Sequence, residues 1–397
     1  MLASRKMELC LVVDHDCNLR CRYCYTGRKR RQPMSEDVMR RALALALERD
    51  PEWLSVTLFG GEPLLHAGRL EAVERLTQEQ LAARGLELAP RWLLDTNGTL
   101  LDDAALAWLA PPRQARVFVS LDGPAAVHDR LRVDAHGQGS HARALAGVHR
   151  LRARGIAFEF VAVIDPGNVA ELGESLSFLL ELGAERVTFQ PNLRGEWTDA
   201  AIDAIGRGVD VAAGVWARAF RQGASPVVEP FHRKVLSHLL GGAPCPARCQ
   251  IATSELAVAP SGRLYPCAEM VGEDAGGELV IGSVFEGVDE ARVLALRRRA
   301  LHREPACDTC DLRRRCQHDC ACRQLASGGG LGRIGGVLCE LEAAFIAATD
   351  RASEALYGER CRAFFDLYYG RSWAIAPGAR PRPPEVAPVR LRRSDDG

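Results

Sequence analysis

Short apolar runs and amphipathic stretches alternate along the first half of this chain. Leu9-Cys10-Leu11-Val12-Val13 is a continuous apolar run of the kind that makes a buried strand. Ser35 then caps a helix reaching about Arg49, with Glu36 and Asp37 in its first turn. Leu54–Phe59 predicts a second strand with a helix over 69–84, and Trp92–Asp95 a third with a helix over 102–109. Val117–Leu121 is followed by a helix over about 140–154, and Phe158–Ile164 by a helix ending near Leu182. Val187–Gln190, with a helix over about 198–221, completes six strand–helix units. Apolar strands alternating with amphipathic helices predict an α/β chain on a parallel sheet. The pattern is compatible with a doubly wound sheet and with a partial barrel.

The second half loses that rhythm. Residues 226–243 carry Gly, Pro and Gly-Gly punctuation and predict a loop-and-helix linker after a first domain over 1–225. A cysteine-rich segment over 244–345 follows, in which Leu256–Val258, Pro260-Ser261-Gly262 and Arg263–Tyr265 form a short hairpin delivering Cys267. Helices over 342–357 and 362–369 supply a C-terminal helical segment, 346–370. The Pro- and Arg-rich stretch 371–397 predicts a disordered tail.

Composition narrows the class. Fifty-one basic residues balance fifty-one acidic ones, which argues against a general nucleic-acid binder. No run approaches the ~18 apolar residues a membrane span needs, and no export signal is visible, so a cytoplasmic protein is expected. Fourteen cysteines in such a chain point to metal ligands rather than a disulfide scaffold. They fall into two fields, Cys17–Cys24 and Cys245–Cys339, with Cys10 and Cys361 outside.

Cys17-Asn-Leu-Arg-Cys21-Arg-Tyr23-Cys24 follows the first strand. Three thiolates on one loop can hold three irons of a [4Fe–4S] cluster, which normally takes four cysteines, and leave one iron open. The spacing resembles the CxxxCxφC signature of radical S-adenosylmethionine (radical SAM) enzymes, with Tyr23 as the aromatic residue. A zinc knuckle is the bland alternative, but this triad lacks a second pair of ligands nearby. Gly60-Gly61-Glu62-Pro63, after the second strand, resembles the family's GGEP motif, which holds the methionine amino group of SAM. Ser120-Leu-Asp122-Gly-Pro with His128-Asp129-Arg130-Leu-Arg132 is similar to a segment of peptide- and protein-modifying members, and Thr96-Asn97-Gly98 to the family's TNG segment. The resemblance implies a partial (β/α)6 TIM-like barrel, with Tyr23, Gly60, Gly61, Glu62, Ser120 and Asp122 around SAM.

The pattern Cys249-x12-Gly262-x4-Cys267, then Cys307-x2-Cys310-x5-Cys316-x3-Cys320 and Cys339, resembles the SPASM domain, whose cysteines ligate auxiliary iron–sulfur clusters. The implied arrangement gives Cys245, Cys249, Cys267 and Cys320 to auxiliary cluster I and Cys307, Cys310, Cys316 and Cys339 to cluster II. With the SAM cluster that makes three [4Fe–4S] clusters. Cys322 is a surplus thiol beside them. Two zinc sites are the competing reading, since Cys-x2-Cys is also a zinc pattern.

The implied chemistry is reductive cleavage of SAM to a 5′-deoxyadenosyl radical, which abstracts hydrogen from a peptide or protein substrate. The expected electron donor is a flavodoxin or ferredoxin, for which Arg28-Lys29-Arg30-Arg31 is a docking candidate. Sulfatase-maturing members place a catalytic Asp directly after the cysteine matching Cys267, where this chain has Ala268. That favours a maturase of ribosomally made peptides forming a thioether or carbon-centred cross-link, with formylglycine generation as the alternative and Glu269 as a candidate base. The first strand begins near residue 8, so no leader-binding winged helix is expected before it. A non-catalytic electron carrier or metal scaffold is the reading from another class; it would not require the SAM loop.

Overall fold

The computed structural model describes residues 6–242 and 251–370, apart from 67, 112, 114, 185, 302 and 303. Its first half repeats one unit. Strand β1 (Lys6–Val12) leads to helix α1 (Glu36–Leu47), β2 (Trp53–Phe59) to α2 (Gly68–Arg84) and β3 (Arg91–Thr96) to α3 (Asp103–Leu109). β4 (Arg116–Ser120) is followed by α4 (Ala125–Leu131) and α5 (His141–Ala153). β5 (Phe158–Ile164) precedes α6 (Leu172–Glu181), and β6 (Arg186–Pro191) precedes α7 (Asp199–Arg221). Several helices start where the sequence supplies a cap. Ser35 accepts from the Val38 amide, Asp102 from Ala105 and Thr198 from Ala201. α1 turns Val38, Met39, Ala42, Leu43, Ala46 and Leu47 onto the sheet, and these join the main core.

Strands β1 to β6 pair in parallel and in chain order. A doubly wound sheet reverses its strand order at a switch point, whereas this one never does, which is the topology of a barrel. Two features were not legible in the pattern. β7 (Val227–Glu229) adds a seventh parallel strand beside β6, inside the stretch expected to be a loop-and-helix linker, whose helix is α8 (Phe231–Leu239). Three residues are too short to show a period. At the other edge, β8 (Glu255–Val258) runs parallel to β1, with Glu8 opposite Glu255 and Leu11 opposite Val258. β9 (Leu264–Tyr265) turns back on β8 as the expected hairpin. The hairpin thus extends the sheet to nine strands and covers the edge that an unfinished barrel leaves open.

After a small ribbon, β10 (Gly282–Ser283) and β11 (Gly287–Val288), come α9 (Glu290–Leu301), α10 (Ala321–Gly328), α11 (Gly336–Gly358) and α12 (Arg362–Tyr368). α11 packs along α7 and α8. Lys234 of α8, fully buried, pairs with Glu342 of α11 at 2.5 Å. Glu342 also accepts from the Gln317 amide and from Arg323, so one carboxylate ties barrel, cysteine loop and C-terminal helix together. The expected ligands Cys245 and Cys249, part of the linker and the tail over 371–397 lie outside the described residues.

Candidate active site

The loop after β1 is sewn into place by backbone. The amides of Gly61 and Glu62 donate to the carbonyls of Asp14 and Asp16, each at 2.8 Å, and those of Arg20 and Arg22 to Val133 and Leu131. Gly60 has φ +149°, and a Cβ on it would lie 2.4 Å from the Asp14 carbonyl; on Gly61 it would lie 2.0 Å from that of Asp16. These glycines are needed because the cysteine loop rests directly against them.

Glu62 lies beneath this contact, fully buried. Its carboxylate accepts from the Asn97 amide at 2.8 Å, the Thr96 hydroxyl at 2.7 Å and the Leu64 amide at 3.1 Å. Burial pushes it up to about 7 even so. Asn97 reaches on to Asn18 at 2.9 Å and to the Cys17 sulfur at 3.8 Å. The GGEP and TNG segments are therefore one brace under Cys17.

A second brace lies on the far side. Asp122 forms a bidentate pair with Arg132, both bonds 3.0 Å, and accepts from the Tyr23 hydroxyl at 2.5 Å and the Val163 amide at 2.9 Å. The Arg132 guanidinium lies over the Tyr23 ring. The His128 ring bridges the Asp122 amide and Ser140. The aromatic residue of the cysteine motif is thus locked by the motif a hundred residues downstream. Glu62 and Asp122 support the site from below, while Tyr23, Gly60, Gly61 and Ser120 face the cavity.

That cavity, about 830 Å³, is lined by Cys17, Cys21 and Cys24 and also by Cys267, Cys316, Cys320 and Cys322. None of these sulfurs is in a disulfide. Burial pushes the Cys17 thiol up to about 12 and raises that of Cys21. Burial also raises Cys24, but the Lys29 ammonium at 2.9 Å and the Thr26 hydroxyl outweigh it and hold Cys24 below the ordinary thiol range. Three free thiols on one loop, one met by a cation, fit an iron–sulfur cluster facing the cavity.

The second cysteine field divides. Cys267 and Cys320 face the cavity, with Cys322 between them at 4.0 and 3.3 Å. Cys310 and Cys339 are exposed, and Cys339 lies near enough to Cys307 and Cys310 for their charge to add to the burial that raises its thiol. Cys316 is raised by burial, with Cys339 among the neighbours adding to the effect. Among the described residues no three His, Cys, Asp or Glu side chains converge tightly enough for a single metal ion.

Glu269 enters the cavity beside these thiols. Burial and Cys320 raise its carboxyl, and Arg323 and Arg194 oppose them. Asp95 and Glu255 also line the cavity, and burial pushes both up to about 7. Neither was expected, because a single acidic residue in or beside a strand carries no sequence signal. In the basic run, Lys29 turns toward Cys24, Arg30 binds Gln32 and the Glu273 carbonyl, and Arg28 and Arg31 stay exposed.

A family profile described as the radical SAM superfamily matches residues 12–179. The chain is 28% identical over 329 residues to the serine-type anaerobic sulfatase-maturating enzyme of Klebsiella aerogenes, covering 79% of this chain and 78% of that one. It is 25% identical over 338 residues to the PqqA peptide cyclase of Gluconobacter oxydans, covering 83% and 89%. Native anSMEcpe with bound AdoMet and Cp18Cys peptide superposes with a TM-score of 0.76 at 18% identity, over 89% of this chain and 99% of that one. Streptococcus suis SuiB bound to precursor peptide SuiA superposes with a TM-score of 0.58 at 15% identity, over 85% and 76%.

Proposed function

Because this chain is a radical SAM enzyme homologous to the anaerobic sulfatase-maturating enzymes, we propose that it oxidises a serine or cysteine side chain of a peptide or protein segment seated in the cavity. One observation carries the reading: a single cavity is lined both by Cys17, Cys21 and Cys24 and by Cys267, Cys320 and Glu269. Cys17, Cys21 and Cys24 would hold a [4Fe–4S] cluster and SAM beside it, in a pocket shaped by Tyr23, Gly60, Gly61 and Ser120. Cys267 and Cys320, with Cys245 and Cys249, would hold a second cluster, and Cys307, Cys310, Cys316 and Cys339 a third.

When bound, these groups supply one-electron chemistry: a 5′-deoxyadenosyl radical to take a hydrogen atom, and an acceptor for the electron left behind. The chain's own residues do the rest. The two braces hold the cysteine loop while the substrate enters. Glu269 would take the proton from the substrate hydroxyl or thiol as its carbon is oxidised, to an aldehyde from serine or to a thioaldehyde from cysteine that water then hydrolyses with release of sulfide. Arg194 and Arg323 oppose the neutralisation of Glu269. Exposed Cys310 and Cys339 suit an outer cluster that exchanges electrons with a flavodoxin or ferredoxin.

Ala268 favours a second reading. The Asp that sulfatase-maturing members carry after the preceding cysteine is absent, and a cross-link forming through a thioether or carbon–carbon bond would not depend on it. Anaerobic reaction of the reconstituted protein with SAM, dithionite and serine- or cysteine-containing sulfatase-type peptides separates the two. Capture of the product by an aldehyde-specific hydrazide supports the first reading. Loss of two hydrogens without an aldehyde selects the cross-link. Cleaved SAM with every peptide unchanged sinks both.

A further inference from the structure

Between Cys24 and α1 the chain makes a tight return that is held from the cysteine-rich half. The Gly27 amide closes a turn on the Cys24 carbonyl at 3.3 Å. Gly27 has φ +67°, and a Cβ on it would lie 2.2 Å from the Glu273 carboxylate. That carboxylate accepts from the Arg28 amide at 2.8 Å, and the Glu273 carbonyl accepts from the Arg30 side chain at 2.6 Å. With both neighbours tied to Glu273, Lys29 between them is half-buried and lines the cavity. Its ammonium donates to the Cys24 sulfur at 2.9 Å and to the Thr26 hydroxyl, which itself lies 3.2 Å from that sulfur. Neither partner is a carboxylate, so the positive charge falls on the sulfur and not on a counter-ion. A lysine on a surface loop ordinarily leaves its charge in water. This one is aimed at a single thiol of the triad.

We propose that Lys29, acting through the Cys24 sulfur, raises the reduction potential of the cluster that Cys17, Cys21 and Cys24 hold. The proposal rests on the SAM-cluster reading above and on neither auxiliary cluster. Hydrogen bonds to the ligand sulfurs and the net charge around them are what set such a potential. An iron-bound thiolate still accepts hydrogen bonds, so the contact is compatible with ligation. Adding one electron adds one negative charge at the thiolates, and a cation touching one of them stabilises that form over the oxidised one. Lys29 therefore eases the entry of the electron that SAM cleavage needs, and Glu273 of the cysteine-rich half keeps it in place.

The test is a redox titration of the full chain after anaerobic reconstitution, without substrate, followed by electron paramagnetic resonance. The signal that changes when SAM is added identifies the cluster. Lys29→Met is expected to disfavour its reduction about tenfold, a midpoint lower by about 59 mV for one electron. Lys29→Arg keeps the charge and is expected to stay near the wild type. An unchanged midpoint in Lys29→Met overturns the proposal. So does an equal lowering in Lys29→Arg, because packing and not charge would then be responsible. A wild type without any SAM-responsive signal overturns the SAM-cluster reading itself, so the two failures are distinguishable. A second measurement decides the matter should Lys29→Met lose its cluster. The chain has only three lysines, Lys6, Lys29 and Lys234, so labelling lysine with nitrogen-15 at its side-chain amine is nearly site-specific. Pulsed resonance on the reduced wild type is expected to show nitrogen-15 coupled to the SAM-responsive signal, and labelled Lys29→Arg to lack it. No coupling in the wild type, or one that persists in Lys29→Arg, rejects the contact.

Discussion

Glu62, fully buried, and Glu269, half-buried in the cavity wall, are both carboxyls raised by their surroundings, yet they do different work. Glu62 has its oxygens taken by Asn97, Thr96 and Leu64, so it holds structure. Glu62→Gln turns one acceptor into a donor facing an amide, which costs about 1–3 kcal/mol in urea unfolding. The wild-type carboxyl, raised from 4.5 to about 7, keeps its proton over a range where the unfolded chain has released it. Its contribution to stability therefore falls as pH rises from about 4.5 to about 7, and is flat outside that window. Melting curves across this window are expected to show a shallower slope in Glu62→Gln than in the wild type. Glu269 faces the cavity instead. Glu269→Gln is expected to lower product formation by about 10²- to 10⁴-fold while 5′-deoxyadenosine still accumulates. Loss of both together in that variant points to a role in holding SAM, not in taking a proton.

At the scale of elements, the cysteine loop owes its shape to segments far away in sequence. Gly60 and Gly61 accept its backbone at a distance no side chain tolerates. Gly61→Ala is expected to lose about four irons and all SAM cleavage, with the auxiliary set retained, as iron analysis and deoxyadenosine assays would show. Iron content equal to the wild type refutes the seating argument. The Asp122–Arg132 pair joins the SLDGP and HDxxR segments of this chain, a link that spacing alone does not reveal.

Across the whole molecule, the hairpin β8–β9 and helix α11 join the cysteine-rich half to the barrel. The hairpin extends the sheet from β1, and α11 lies against α7 and α8. Lys234 and Glu342 form the buried joint of this arrangement. Lys234→Met leaves Glu342 facing only Arg323 and the Gln317 amide, and is expected to cost about 3 kcal/mol, the low end for a broken buried pair. Because Glu342 also holds the loop between Cys316 and Cys320, iron bound by the auxiliary set should fall with the melting temperature. A variant that melts lower but keeps all its iron argues that the joint serves stability alone.

Local pattern by itself determined the six leading strands, the main helix after each and the hairpin before Cys267, though not the short α4, because periodicity and caps act within a few residues. Motif spacing marked the two cysteine fields in the same way. The seventh strand, the pairing of β8 with β1, and the placing of Asp95, Glu255 and Cys322 in one cavity were decided only by the tertiary structure. Each depends on contacts between residues tens to hundreds apart, and neither a three-residue strand nor a single acid or thiol carries a period to read. The motifs Gly60–Pro63, Thr96–Gly98 and Ser120–Arg132 lie between those limits. Their residues were visible in the sequence, but the fold decided that Glu62 and Asp122 brace the site while Ser120 faces it, since burial belongs to the fold and not to the residue.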